Sequence, residues 1–176
     1  METKRPDPLP TLPPALAARF EPLSVLGVGG YGTVIRARQH LLQRDVALKI
    51  LTKSETDDPL AQQRFAQEAR VVAGLSDPTI VPVLDQGVEG GVSYIAFEFI
   101  DGMSLREALG QGALEWTVVV THGIRVASAL VAIHRAGVIH RDLKPENVLI
   151  RSDTGLAVVT DFGISRPRET SVWTGT

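Results

Sequence analysis

The sequence predicts an α+β protein in which an antiparallel β-sheet comes first and a mainly helical part follows. Two observations support this class. Short apolar or alternating runs at 33–39, 46–51 and 93–99 have the pattern of strands. Two longer segments, at 59–75 and 115–136, repeat apolar residues every three or four positions, which predicts helices that bury one face.

Proline recurs between residues 6 and 14, and this composition favours an extended chain. We therefore expect residues 1–18 to form a flexible tail and folded structure to begin near Phe20. The tail could also be a proline-helix ligand, although a linker is the simpler interpretation.

A glycine-rich turn comes before the run at 33–39. Gly27, Gly29 and Gly32 are spaced so that the backbone could turn sharply and approach a phosphate with no Cβ in the way. A dinucleotide-binding turn has similar glycines, but a helix follows it, whereas the residues after Gly32 alternate like a strand. The turn therefore predicts a hairpin that closes over a nucleotide.

Lys49 lies in the next run, and a lone lysine in a strand is usually just solvated. It gains significance from the helix at 59–75, which has Pro59 at its first position and Gly74 near its end. Glu68 lies beside the apolar stripe of that helix, so we expect Glu68 to be the carboxylate that orients Lys49.

The second half of the chain begins with a short helix. Ser104 and Glu107 form a capping-box pattern, in which each side chain bonds the other residue's backbone amide. Gly137 suits the end of the long helix at 115–136. Four apolar residues share one face of that helix: Val120, Ile124, Ala127 and Val131. We expect the helix to be largely buried.

Two short motifs carry the chemistry: HRDLKPEN at 140–147 and DFG at 161–163. Transfer of a terminal phosphoryl group requires an acceptor hydroxyl held in line and negative charge neutralised by metal. Asp142 can orient that hydroxyl and accept its proton. Lys144, two residues later, can reach the transferred phosphate as a point charge.

The metal ligands come from both motifs. Asn147 and Asp161 supply hard oxygen atoms, which Mg²⁺ prefers, and Mg²⁺ needs only one or two protein ligands. The residues between them read as a β-hairpin with its turn at 152–155. That hairpin would bring Asn147 and Asp161 together.

In this order the motifs resemble those of eukaryotic-type serine/threonine protein kinases, and the glycine-rich turn resembles that of bacterial members. The resemblance covers about 19–176. It implies a protein-kinase-like fold, with an antiparallel sheet lobe and one helix at 19–100, then the first part of a mainly helical lobe at 101–176. It also implies transfer of the γ-phosphoryl group of ATP, with Mg²⁺, to serine or threonine hydroxyls of proteins.

The resemblance also assigns the nucleotide contacts. Lys49, held by Glu68, would grip the α- and β-phosphates, and the backbone of Glu98 and Ile100 would bond the adenine edge. Phe97 would be the bulky gatekeeper residue. Three aliphatic side chains would wall the adenine: Val34, Ala47 and Leu149. Without the resemblance each of these apolar residues is simply a core residue.

Family members continue beyond DFG through an activation segment to an APE motif and further helices, whereas this sequence stops at Thr176. We therefore expect a chain cut within the activation segment, weakly active or inactive as it stands, with exposed apolar faces that favour self-association. Two other classes stay open: a nucleotide-binding pseudokinase or scaffold, and a small-molecule phosphotransferase. ATP binding with phosphorylation of a peptide separates the first class from both.

Composition sets the remaining limits. The chain has 176 residues, of which 44% are hydrophobic and 22% charged, and a formal net charge of -2. Nothing in that charge suggests nucleic acid or an anionic membrane as a partner. We expect no membrane-spanning segment and no signal peptide, and the sequence contains no cysteine. A cytoplasmic protein is the resulting prediction.

Overall fold

The computed structural model describes residues 8–29, 32–51 and 70–161. Five strands form the first sheet: β1 Phe20–Gly29, β2 Gly32–Gln39, β3 Arg44–Leu51, β4 Val83–Glu89 and β5 Val92–Glu98. All neighbouring strands are antiparallel, in the order β1-β2-β3-β5-β4. The predicted sheet is therefore confirmed, and it begins at Phe20.

The glycine-rich turn joins β1 to β2, as the sequence predicts. Gly32, the first residue of β2, pairs with Leu51 of β3 and has φ of 149°. A Cβ at this position would lie 2.1 Å from the Ile50 carbonyl oxygen, so only glycine fits. Close approach of β2 to β3 is thus one reason for a glycine at this position.

The prediction of a flexible tail through residue 18 is wrong for its second half. Residues Pro14–Ala17 form a short helix, α1, and Leu16 is fully buried. Leu16 packs in a core cluster with Phe20 and Tyr94, on one side of the sheet. Arg19 then ion-pairs with Asp85 in β4. Leu12 and Leu16, which lie among the prolines, pack against the sheet. Composition alone does not reveal this contact.

Replacing Leu16 with alanine should destabilise the fold by about 2–5 kcal/mol, because it removes a fully buried leucine and leaves a cavity. Leu9 is the matched control, since its side chain is 47% exposed. Urea unfolding would measure both variants. An unchanged midpoint for Leu16→Ala would contradict the docking of α1.

The second half of the chain contains the predicted short helix, long helix and hairpin. Its elements are β6 Gly102–Ser104, α2 Leu105–Gly110, α3 Trp116–Arg135, a 3₁₀ turn Pro145–Asn147, β7 Val148–Arg151 and β8 Ala157–Val159. The three strands form a second sheet in the order β6-β7-β8. The capping box of α2 is present, with both the Ser104 and the Glu107 bonds.

Helix α3 buries a different face from the one we expect. His122, Ala129 and Ile133 are buried. The four residues of the predicted face are exposed: Val120, Ile124, Ala127 and Val131. Both faces are apolar, so the spacing of apolar residues in the sequence does not show which face is buried. Strand β8 packs on the helix, and the face with Ala129 and Ile133 is the buried one. The exposed face could favour self-association, which stays a prediction.

The expected absence of a membrane-spanning segment stays a prediction. Helix α3 is long and apolar enough to cross a membrane by length and composition, which is weak evidence. Its Arg125 donates hydrogen bonds to the carbonyl oxygens of Ala157 and Pro78, both at 2.7 Å. In this structure α3 is therefore hydrogen-bonded to the second sheet and to the loop before β4.

The buried His122 predicts a pH dependence of stability. Burial, and after it the charge of Arg125, lowers the pKa of His122 below its ordinary value. The imidazole therefore gains a proton less readily in the folded state than in the unfolded state. Stability should be flat above about pH 6.5 and fall as the pH drops below it, by at most about 1.4 kcal/mol per pH unit for one histidine.

Urea unfolding between pH 5 and 7.5 measures this slope. His122→Phe should reduce the slope and leave the part due to His140, whose pKa is also lowered by burial. His134→Phe, at an exposed position of the same helix, is the matched control. Equal slopes for the wild type and His122→Phe would contradict the prediction.

Candidate active site

The HRDLKPEN and DFG motifs meet in a strained part of the backbone. Among the described residues other than glycine, Gln43, Arg141 and Asp161 have a positive φ, and the last two belong to the motifs, with φ of 61° and 55°. Such conformations are costly and concentrate at functional sites. The hairpin β7–β8 joins the motifs, as predicted, and the Thr160 amide donates to the Asn147 carbonyl at 3.0 Å.

Asp142 is surrounded by donors from its own loop. Its Oδ2 lies 2.9 Å from Lys144 Nζ and accepts from Asn147 Nδ2 at 3.2 Å. Asn147 Nδ2 also donates to the Asp142 backbone carbonyl at 2.8 Å. Asn147 is buried, on the 3₁₀ turn that Pro145 begins. The three polar residues predicted for phosphoryl transfer therefore lie within hydrogen-bond distance of one another.

His140 connects the two motifs. Its Nε2 is 3.0 Å from the Thr160 carbonyl oxygen, and because a carbonyl only accepts, Nε2 must carry the proton. The other ring nitrogen, Nδ1, then accepts from the Asp142 amide at 3.3 Å. Burial lowers the pKa of His140, which keeps the ring neutral in this role. His140, the first residue of the HRDLKPEN motif, is thus held against Thr160, the residue before Asp161.

Lys49 brings the first sheet to the same place. The side chain is buried, and its Nζ lies 2.5 Å from Asp161 Oδ1. A buried charge needs a partner, and the Asp161 carboxylate provides it. The structure therefore joins β3 to Asp161, two residues after the end of β8, across 112 positions of sequence.

Two glycines of the turn between β1 and β2 have no close neighbours in the described part of the chain. A Cβ added to Gly27 would contact nothing within 4 Å, and at Gly29 the nearest atom would be 3.9 Å away. Unlike Gly32, these glycines are not required by contacts within the described residues, which fits a group lying against the turn. Ala47 and Leu149, two of the predicted adenine walls, pack partly buried against the cluster that contains Phe97 and Ile100.

One of the predicted site residues cannot be compared with the structure. Glu68, the predicted partner of Lys49, lies outside the described residues. The helix that would carry Glu68 is described from residue 70, and it ends at the predicted Gly74.

Sequence reasoning missed a contact at the end of β5. Arg151 Nη1 lies 2.8 Å from Glu98 Oε1. The two residues are 53 positions apart, and neither belongs to a recognisable motif. No sequence signal would have found this pair, because the register between β6 and β7 decides it.

Comparison with known families identifies the class of protein. A family model described as the protein kinase domain matches residues 20–174. The chain therefore belongs to the protein kinase family, and the predicted fold and resemblance are confirmed.

Several bacterial serine/threonine-protein kinases are similar in sequence. PknB of Mycobacterium leprae is 39% identical over 161 residues, covering 89% of this chain and 26% of PknB. PrkC of Bacillus subtilis is 36% identical over 151 residues, covering 85% of this chain and 23% of PrkC. The chain thus spans about a quarter of the length of these relatives.

Solved structures show the same fold. The kinase domain of Mycobacterium tuberculosis PknI has a TM-score of 0.71 at 30% identity, over 85% of this chain and 61% of that one. A structure of Rad53 1-466 in complex with AMP-PNP has a TM-score of 0.75 at 29% identity, over 85% of this chain and 39% of that one.

Proposed function

We propose that the protein to which this chain belongs is a serine/threonine protein kinase, which transfers the γ-phosphoryl group of ATP to hydroxyl groups of proteins. The observation that carries the proposal is the convergence of Lys49, Asp142, Asn147 and Asp161 from three separate stretches of sequence. The names of the bacterial relatives support serine and threonine as the acceptors.

Asp142 would bind the acceptor. Its carboxylate is half-buried and directed by Lys144 and Asn147, so it is held in one place when a hydroxyl approaches. A carboxylate in that position orients the hydroxyl towards the phosphorus and accepts its proton. Lys144 is exposed, and it could turn from Asp142 to the transferred phosphate.

The residues fit ATP with Mg²⁺. The amide nitrogen of Asn147 is engaged by Asp142, which leaves its Oδ1 for a cation, and Asp161 offers a second oxygen ligand. Bound Mg²⁺ would neutralise charge on the phosphates. Lys49 would contact the α- and β-phosphates, Gly27 and Gly29 would lie over them, and Glu68 would orient Lys49.

The adenine would lie between the two sheets. Val34 and Ala47 would cover one face and Leu149 the other, while the backbone of Glu98 and Ile100 would bond its edge. Burial of Phe97 and Ile100 in the core beside this space supports the placement. A cytoplasmic location follows from the proposal, because ATP is supplied there.

The full-length gene product, incubated with Mg²⁺, γ-labelled ATP and a generic protein substrate, tests the proposal. We expect label on serine and threonine after acid hydrolysis. Binding of Mg·ATP without any transfer would instead assign a pseudokinase. Transfer to small molecules alone would assign a phosphotransferase, and either result would overturn the proposal.

A further inference from the structure

Arg151, the last residue of β7, holds both ends of the segment that joins the two sheets. Residues 99–101 lead from β5 to β6. At one end, the main chain of Arg151 pairs with Gly102 in β6. At the other, its guanidinium lies 2.8 Å from the carboxylate of Glu98, the last residue of β5. Arg151 therefore contacts both ends of this segment, one through its backbone and the other through its side chain.

The segment lies directly against β7. A Cβ on Gly102 would be 2.0 Å from the Ile150 carbonyl oxygen, so the two strands approach as closely as glycine allows. The Ser152 amide also donates to the Asp101 carbonyl at 2.8 Å. These contacts fix the end of the segment at β6.

The end at β5 is held from two sides. The Glu98 amide donates to the Pro82 carbonyl at 3.0 Å, and the Glu98 side chain meets Arg151. The other nearby charge that acts on Arg151 is Asp153. Above the segment, the Arg36 guanidinium lies 4.5 Å from the centre of the Phe99 ring. Arg151 thus supplies the anchor of Glu98 on the side of the second sheet.

The same strand also carries the floor of the proposed adenine site. Leu149 and Arg151 are two residues apart in β7, and alternate residues of a strand point to the same side. One face of β7 therefore presents Leu149 to the adenine face and Arg151 to Glu98, whose backbone would meet the adenine edge. A rigid link between these two contacts would fix the distance between the floor and the edge.

We propose that Arg151 is a positioning residue for adenine, acting through Glu98 to hold the backbone at 98–100 at the correct distance from Leu149. This inference rests on the proposed function. Arg151 touches no reacting atom, so it should govern the affinity for ATP and leave the rate of the bound complex unchanged.

Calorimetric titration of the full-length protein with Mg·ATP tests the inference. Arg151→Ala should raise the Kd for ATP about fivefold, the upper range for a partly exposed ion pair. Purine riboside triphosphate lacks the exocyclic amino group of adenine, so it cannot donate that group's hydrogen bond to the backbone at Glu98. For that nucleotide the Kd should rise at most about twofold.

Three further variants make the result specific. Arg151→Lys keeps the cation and should restore ATP affinity to within about twofold of wild type, and Glu98→Gln should reproduce the loss from the other end of the pair. Arg106→Ala removes an exposed arginine that pairs with Glu146 at 3.5 Å, and it should change nothing. Thermal unfolding of each variant checks that it is folded.

The failures are distinguishable. Wild-type protein that binds neither nucleotide would overturn the proposed function and this inference with it. If the wild type binds ATP but Arg151→Ala and Glu98→Gln bind it equally well, the inference alone is overturned. An equal loss for both nucleotides would give Arg151 a merely structural role, which also overturns the inference.

Discussion

Replacing Asp142 with asparagine is expected to slow phosphoryl transfer by about a hundredfold to ten-thousandfold, the contribution typical of a positioned general base. Affinity for ATP should stay nearly unchanged, because Asp142 is directed at the acceptor and not at the nucleotide. An amide oxygen can still accept from Lys144 or Asn147, which contact Asp142 Oδ2 in this structure. The loop should therefore keep its shape while losing the group that accepts the proton.

Steady-state kinetics and nucleotide titration of the full-length protein measure both quantities. Glu115→Gln is a matched control, since Glu115 is exposed at the start of α3 and its side chain makes no capping bond. A loss of ATP affinity as large as the loss of rate would refute the role assigned to Asp142.

Asp161→Asn should weaken the binding of Mg·ATP as well as the rate. Loss of a residue that only supports a metal ligand lowers metal affinity or activity about 10- to 100-fold. Because Asp161 is proposed as a direct ligand, we expect a loss at least that large. The change also removes the anion beside the buried Lys49. In the absence of Mg²⁺, affinity for the nucleotide should differ little between wild type and variant.

Titration of ATP with and without Mg²⁺ separates these effects. If the variant binds Mg·ATP as tightly as the wild type, Asp161 is not a metal ligand. If affinity falls equally with and without Mg²⁺, its role is limited to Lys49.

Local patterns were sufficient for strands β2, β3 and β5, the capping box and the hairpin β7–β8. Each depends on residues close in sequence: the alternation before Gln39, the Ser104–Glu107 pair and the turn before Leu156. The proximity of Asn147 and Asp161 also followed, because a hairpin returns the chain to its starting point. These features need no knowledge of what packs on them.

The two wrong predictions concern surfaces that other elements cover. Leu16 looked like part of a proline-rich tail, yet it fills a place on the sheet beside Phe20. Helix α3 is apolar on more than one face, and only the position of β8 decides that Ile133 is buried and Ile124 exposed. The spacing of apolar residues shows that a helix can bury one face, but it does not show which of two apolar faces is buried.

The sequence by itself determined the class of fold, the order of most of its elements and the residues proposed for phosphoryl transfer, since these follow from residue type and spacing along the chain. Only the tertiary structure decided which distant side chains meet. Lys49 reaches Asp161, and Arg151 reaches Glu98, because the packing of two sheets fixes their separation. Contacts of this kind depend on the register and relative placement of whole elements, which local sequence does not specify.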